Sequence, residues 1–194
     1  MITIDHIKKL REETGVSVSE CKKALHEANG DETKAKKILR EWGKELAGKK
    51  SHREAGSGII ESYIHPDQKV GVMIELRCET DFVAKSEDFK KLAHELCLQV
   101  AAMSPLFLNE EDIPEEVLHG EKEIYSEQLK DSGKPKEILE QVIDGKLKKY
   151  KEKISLLSQS WVKDDSKTIK QLIEEYIAKI GENIVIKRFS RFDI

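Results

Sequence analysis

Cysteine is sparse in this 194-residue sequence, and its three copies do not suggest a staple. Cys21, Cys78 and Cys97 are odd in number and form no CxxC pair. That excludes a disulfide framework and points to reduced thiols in a cytoplasmic protein. No apolar run approaches the ~20 residues that span a bilayer. The opening "MITIDHIKKLREE" carries an acid at position 5, so neither a membrane helix nor a signal peptide is expected. Basic residues are not in excess: 34 Lys and Arg against 37 Asp and Glu leave a net charge of −3. Nucleic acid is therefore not expected as the main ligand, and direct DNA binding not at all, because phosphate recognition needs a net basic face. The phosphate cradles GxxxxGK[ST] and GxGxxG are missing.

Signs of catalysis are equally thin. The six histidines are scattered, and only His94 and Cys97 can share a helical face. Two ligands fall short of the three or four that zinc requires, so no metal site is expected. Ser57 and Cys78 have no base beside them, and Glu79 with Asp81 reads as a polar strand end. No catalytic residue and no cofactor is expected.

What is present is a helix-rich pattern with one clear hairpin. Hydrophobic residues make up 38%, enough for a core, while 37% are charged, which suits long solvated helices. Thr3 can cap a first helix carrying Ile4, Ile7 and Leu10 and stopping at Gly15. Ser17 and Glu20 have capping-box spacing at the start of a second, which presents Cys21, Ala24, Leu25 and Ala28. Asp31 caps a third, with Ala35, Ile38, Leu39, Trp42 and Leu46 on a 3.6-residue period. These three helices form a domain over 1–46. "AGKKSHREAGS", 47–57, is rich in Gly, Ser and basic residues and reads as a linker. The remainder, 58–194, forms a second domain.

That second part opens with "IIESYI", a turn at "HPDQ", and "KVGVMIELRCE" returning. Val70, Val72, Ile74, Leu76 and Cys78 alternate with more polar residues, which predicts a strand with one buried face. A helix is predicted from Ser86, with Phe89, Leu92, Ala93, Leu96, Cys97 and Val100 on one stripe. "NEEDIP" is expected to start another that ends near Gly133, and Pro135 to open a third. A helix through Ile169–Ile180 stops at Gly181, and "NIVIKRFSRF" suits a last strand. Strands and helices outside a βαβ rhythm give an α+β fold, with a small antiparallel sheet packed against helices.

Between the second strand and the helix from Ser86 lies "TDFV", Thr80 to Val83. A phenylalanine at a turn has two readings. Phe82 tucks inward beside Phe89, or it projects into another protein, where a buried aromatic acts as a hot spot.

"LREETGVSVSECKKALHEANGD" (10–31), "CETDFVAKSEDF" (78–89) and "KIGENIVIKRF" (179–189) resemble the elongation factor Ts family, the nucleotide-exchange factors for the GTPase elongation factor Tu. The resemblance implies a ubiquitin-associated-like three-helix domain followed by the family's core domain. It also implies that Asp81 and Phe82 intrude near the GTPase's magnesium site, with Thr80 and Val83 shaping the turn. Arg11 and the Gly15–Ser19 loop, including Val18 and Ser19, match a second contact with the partner. Here "GVSVSEC" stands where many members read "GAGMMDC", so Val18 and Ser19 replace two methionines. The alternative is that Val16 and Val18 simply pack the small bundle. The chain has room for one half of the core of longer members, which implies a homodimer binding two GTPase molecules. A different class of reading makes the chain an RNA- or ribosome-associated adaptor, with Lys49, Lys50 and Arg53 touching RNA.

Overall fold

The computed structural model describes residues 2–130 and 135–194. Its first three helices start where hydroxyl and carboxylate caps predict. Helix α1 (Ile4–Thr14) has Thr3 accepting from the His6 N–H, and α2 (Val18–Glu27) has Ser17 accepting from the Glu20 N–H. In α3 (Glu32–Lys50) Asp31 accepts from the Lys34 N–H. Each cap satisfies a backbone donor that the first helical turn leaves without a partner. Leu10, Cys21, Ala24, Leu25, Ala35 and Leu39 meet in a small core of their own.

Helix α3 departs from the expected boundary. It runs four residues into the stretch read as a linker, to Lys50, leaving 51–56 between it and the next strand. Gly48 costs roughly 1 kcal/mol relative to alanine inside a helix. The opposing contribution is tertiary: Ala47 is buried in the larger core, and the Lys50 ammonium donates to the Gly181 carbonyl.

Strands β1 (Ser57–Ile64) and β2 (Val70–Cys78) pair antiparallel, with β1 Ile59 opposite Leu76. The last strand, β5 (Ile184–Asp193), pairs with the other edge of β2, so the sheet order is β1-β2-β5. The alternation predicted for β2 holds: Val72, Ile74, Leu76 and Cys78 are buried. They pack against α5 (Glu87–Met103), whose Phe89, Leu92, Ala93, Leu96, Cys97 and Val100 are all fully buried. Before α5 comes a single helical turn, α4 (Asp81–Ala84).

"NEED" does not open the next helix. Asn109 and Asp112 close a 3₁₀ turn through a capping box, and α6 (Glu115–Leu129) begins only after Pro114. The expected end at Gly133 lies outside the described residues. Helix α7 (Lys136–Ile154) follows Pro135 as predicted and pairs with α6 in a hairpin. The stretch after it forms a short hairpin, β3 (Ser160–Trp161) and β4 (Asp164–Thr168), held to α5 by buried Gln99. Gln99 Nε2 donates to Gln159 Oε1 and the Ser160 carbonyl, and its Oε1 accepts from the Val162 N–H. Helix α8 (Ile169–Ile180) completes the core through Ile169, Leu172, Ile173 and Ile177. The fold is α+β.

Burial has a pH consequence. It pushes the Cys97 thiol from about 9 up to about 12 and, with help from Glu182, the Cys78 thiol up to about 11. Folding favours the protonated form, so this contribution is fully present below the unfolded pKa and is lost as pH rises through the folded values. Guanidinium titrations should therefore give a midpoint that is insensitive to these thiols from pH 7 to 8 and falls above about pH 9. Native Cys97 should resist a thiol reagent at pH 8 and react once unfolded. Rapid labelling of folded Cys97 would contradict this.

Candidate functional site

The 80–83 stretch is a capped helical turn rather than a loop. Thr80 is the N-cap of α4, its Oγ1 accepting from the Val83 N–H at 3.4 Å. Helices this short do not form unaided, since nucleation fixes several residues for one hydrogen bond. The support comes from α8's end, 102 residues away. Glu182 Oε2 accepts from the Thr80 N–H at 3.0 Å, and Oε1 from the Thr80 hydroxyl at 2.6 Å. Val83 is half-buried against the core and Ala84 is buried, which seats the turn on its inner side.

Phe82 points the other way. Phe82 is 82% exposed, whereas Phe89, seven residues on, is fully buried. The inward reading of Phe82 is therefore overturned: Val83 and Ala84 already fill the inner face of a turn too short to bury a second large ring. Asp81 sits beside the ring, its carboxylate 2.8 Å from Lys85 Nζ. The hydrogen bond from Lys85 and its charge lower the Asp81 pKa, so at neutral pH the turn presents an anionic oxygen next to an apolar ring.

Three of the second predicted set, Arg11, Gly15 and Val18, line a cleft of about 590 Å³ with Ile4, Ile7 and Lys179; Ser19 does not. Arg11, Val18 and Ser19 are all exposed. Val16 does pack against the small core, but Val18 is 52% exposed, so the packing alternative fails for Val18. Gly15 ends α1 in the left-handed region (φ 68°) with its N–H on the Arg11 carbonyl. A Cβ there would lie 2.9 Å from Lys179 Cε.

The two sets meet at the C-terminal end of α8. Lys179 lies under Gly15 and reaches Asp88 at 2.5 Å, at the start of the helix that follows Phe82. Glu182, three residues on, holds Thr80. Sequence reading missed Lys179 and Glu182 as parts of the site. They lie within "KIGEN", but nothing local in that stretch says what they reach.

Of the residues read as possible RNA contacts, Lys49 is exposed, Lys50 donates to the Gly181 carbonyl and Arg53 lies 3.5 Å from Glu79. Glu79 accepts from the Asn183 N–H at 2.7 Å, which fits its reading as a polar strand end. Cys97 is sealed in the core while His94 is half-exposed beside Glu61, and among the described residues no group of three or more His, Cys, Asp or Glu is placed to hold a metal ion. No helix among them is long and apolar enough to cross a membrane.

The family model "Elongation factor TS" matches residues 5–176. An elongation factor Ts from Thermosipho melanesiensis is 51% identical over 194 residues, covering 100% of this chain and 99% of that protein. Those from Coprothermobacter proteolyticus and Thermotoga maritima are each 51% identical over 193 residues, covering 100% of this chain and 98% and 96% of theirs. Matched by the family model over most of its length and by full-length relatives from end to end, the chain belongs to the elongation factor Ts family.

Proposed function

We propose that the chain is a guanine-nucleotide exchange factor that binds elongation factor Tu in its GDP form and promotes GDP release and GTP reloading, without covalent chemistry. The observation that carries this is Phe82: a large apolar ring held out in water beside an ionised Asp81. Such a tip gains most by entering a partner. A GTPase holds GDP through loop amides, a lysine and a bridging Mg²⁺. Magnesium demands near-octahedral coordination, so a small displacement of its surroundings is costly. The turn Thr80–Val83 enters near that site, Phe82 as the wedge and Asp81 as the competing anion. The ion and the phosphate loop lose their arrangement, and GDP leaves. Arg11, Gly15, Val18 and Ser19 supply a second contact that orients the wedge.

Release of a fluorescent GDP from purified elongation factor Tu, with and without the chain, tests the reading. Marked acceleration is expected; equal rates would overturn it.

Two copies of the chain pair through the outer face of the sheet and bind two GTPase molecules. The support is the register: Ile64, Gly71 and Phe192 lie in one row, Met73 and Ser190 in the next. Ile64, Met73 and Phe192 are exposed together at one end of that face, while Ile60 and Val185 are exposed beside the ion-paired Glu75, Arg77 and Arg188. Sedimentation at micromolar concentration should show a dimer, and Met73→Glu a monomer with an unchanged melting temperature. A monomeric parent chain would remove the pairing.

A further inference from the structure

The ring of Phe82 is almost free of its own subunit, so its direction depends on the backbone beneath it. That backbone is a four-residue helix, below the length that holds itself together. Packing of Val83 and Ala84 seats its inner side, and the Cys78 thiol donates to the Thr80 carbonyl at 3.2 Å; the charged contact that reaches its cap from elsewhere is Glu182.

We propose that Glu182 is a positioning residue for exchange: it acts on the GTPase only through Phe82, by locking the cap of α4. This rests on the reading of Phe82 as the wedge. The carboxylate takes both donors of Thr80, the N–H at 3.0 Å and the hydroxyl at 2.6 Å. With its proton committed to Glu182, Thr80 Oγ1 turns a lone pair to the Val83 N–H and closes the helical turn. Hydrogen bonds to an ionised acceptor are roughly twice as strong as neutral ones. Two of them on one residue fix its backbone in the extended conformation that an N-cap needs, at φ −124° and ψ 157°.

Glu182 is itself well anchored. Gly181 ends α8 in the left-handed region (φ 83°), which turns the chain back toward β2. Asn183, next along, donates its N–H to Glu79 Oε1 at 2.7 Å and its Nδ2 to the Arg53 carbonyl at 2.8 Å. Asn183 and Glu182 thus hold Glu79 and Thr80 respectively, and the wedge leaves the sheet at a set angle. Because the turn is already ordered, entry into the GTPase costs little conformational entropy.

A double-mutant cycle separates positioning from general support. Exchange rates on elongation factor Tu–GDP and thermal melts are measured for the parent chain, Glu182→Ala, Phe82→Ala and the double variant. Glu182→Ala should lower the acceleration about tenfold in the parent and leave it unchanged in the Phe82→Ala background. Glu182→Gln, which keeps one acceptor, should fall between. Thr80→Val removes the hydroxyl from the other side of the same bond and should show the same coupling to Phe82 even if Glu182→Ala folds poorly. Equal losses in both backgrounds, or no loss in the parent, would overturn the positioning role and leave the wedge intact. If Phe82→Ala alone exchanges as fast as the parent, the wedge falls and the proposal with it.

Discussion

Replacing Phe82 by alanine will slow GDP release catalysed by this chain by about 10- to 150-fold, with the melting temperature unchanged. Burying a phenylalanine contributes roughly 1.5–3 kcal/mol, and 1.4 kcal/mol is a factor of about ten. In the free chain that contribution is unrealised, since Phe82 is 82% exposed. Truncation therefore removes little from the folded state. On the proposed reading the loss falls on the complex, where the ring enters the partner. Stopped-flow release of a fluorescent GDP gives the rate, and calorimetry gives the melt. Equal rates would show that the ring does no work in exchange. A melt lowered by many degrees would show that it supports its own subunit after all.

Phe89 predicts the opposite pattern. It lies seven residues further on, fully buried in the larger core. Removing a buried phenylalanine costs about 3–5 kcal/mol through lost transfer energy and the cavity left behind. For a chain of this size each kcal/mol shifts the melt by about 2–4 °C, so Phe89→Ala should melt about 6–20 °C lower. The Glu182 hydrogen bonds to Thr80 do not involve Phe89, so the surviving folded fraction should keep exchange activity. A Phe89→Ala variant that melts normally would mean that the core closes over the gap. The contrast is useful because chemistry is held constant: one residue type, one short segment, two burial states, two different readouts.

Much of this was legible in the sequence where the physics is local. The caps Thr3, Ser17 and Asp31 announce their helices within three residues, and each forms as spacing predicts. The alternation from Val70 to Cys78 states which face is buried, and the stripe from Phe89 to Val100 states what covers it. The turn 80–83 stood out as an apolar ring at a strand end. Its direction did not, since either outcome satisfies the local pattern. That direction is settled by Val83 and Ala84 filling the inner side, and by Glu182 gripping Thr80 across 102 residues. Contacts of such separation leave no periodic trace. The same holds for α3, where Gly48 suggested an end while Ala47 was bound for the other core. Capping chemistry in "NEEDIP" was visible but ambiguous: the same Asn–Asp spacing closes a 3₁₀ turn as readily as it starts a long helix.

A factor that opens a GTPase by occupying it must favour the empty form, and coupling of two ligands on one protein is reciprocal. The decisive quantity is thus the GDP dissociation constant of elongation factor Tu, titrated at equilibrium with and without saturating chain. It should rise by the same factor by which the chain binds the nucleotide-free GTPase more tightly than the GDP form, and both factors should shrink together when Phe82 becomes alanine. An unchanged GDP affinity in the presence of bound chain, or a rise that survives loss of the ring in full, would contradict the account.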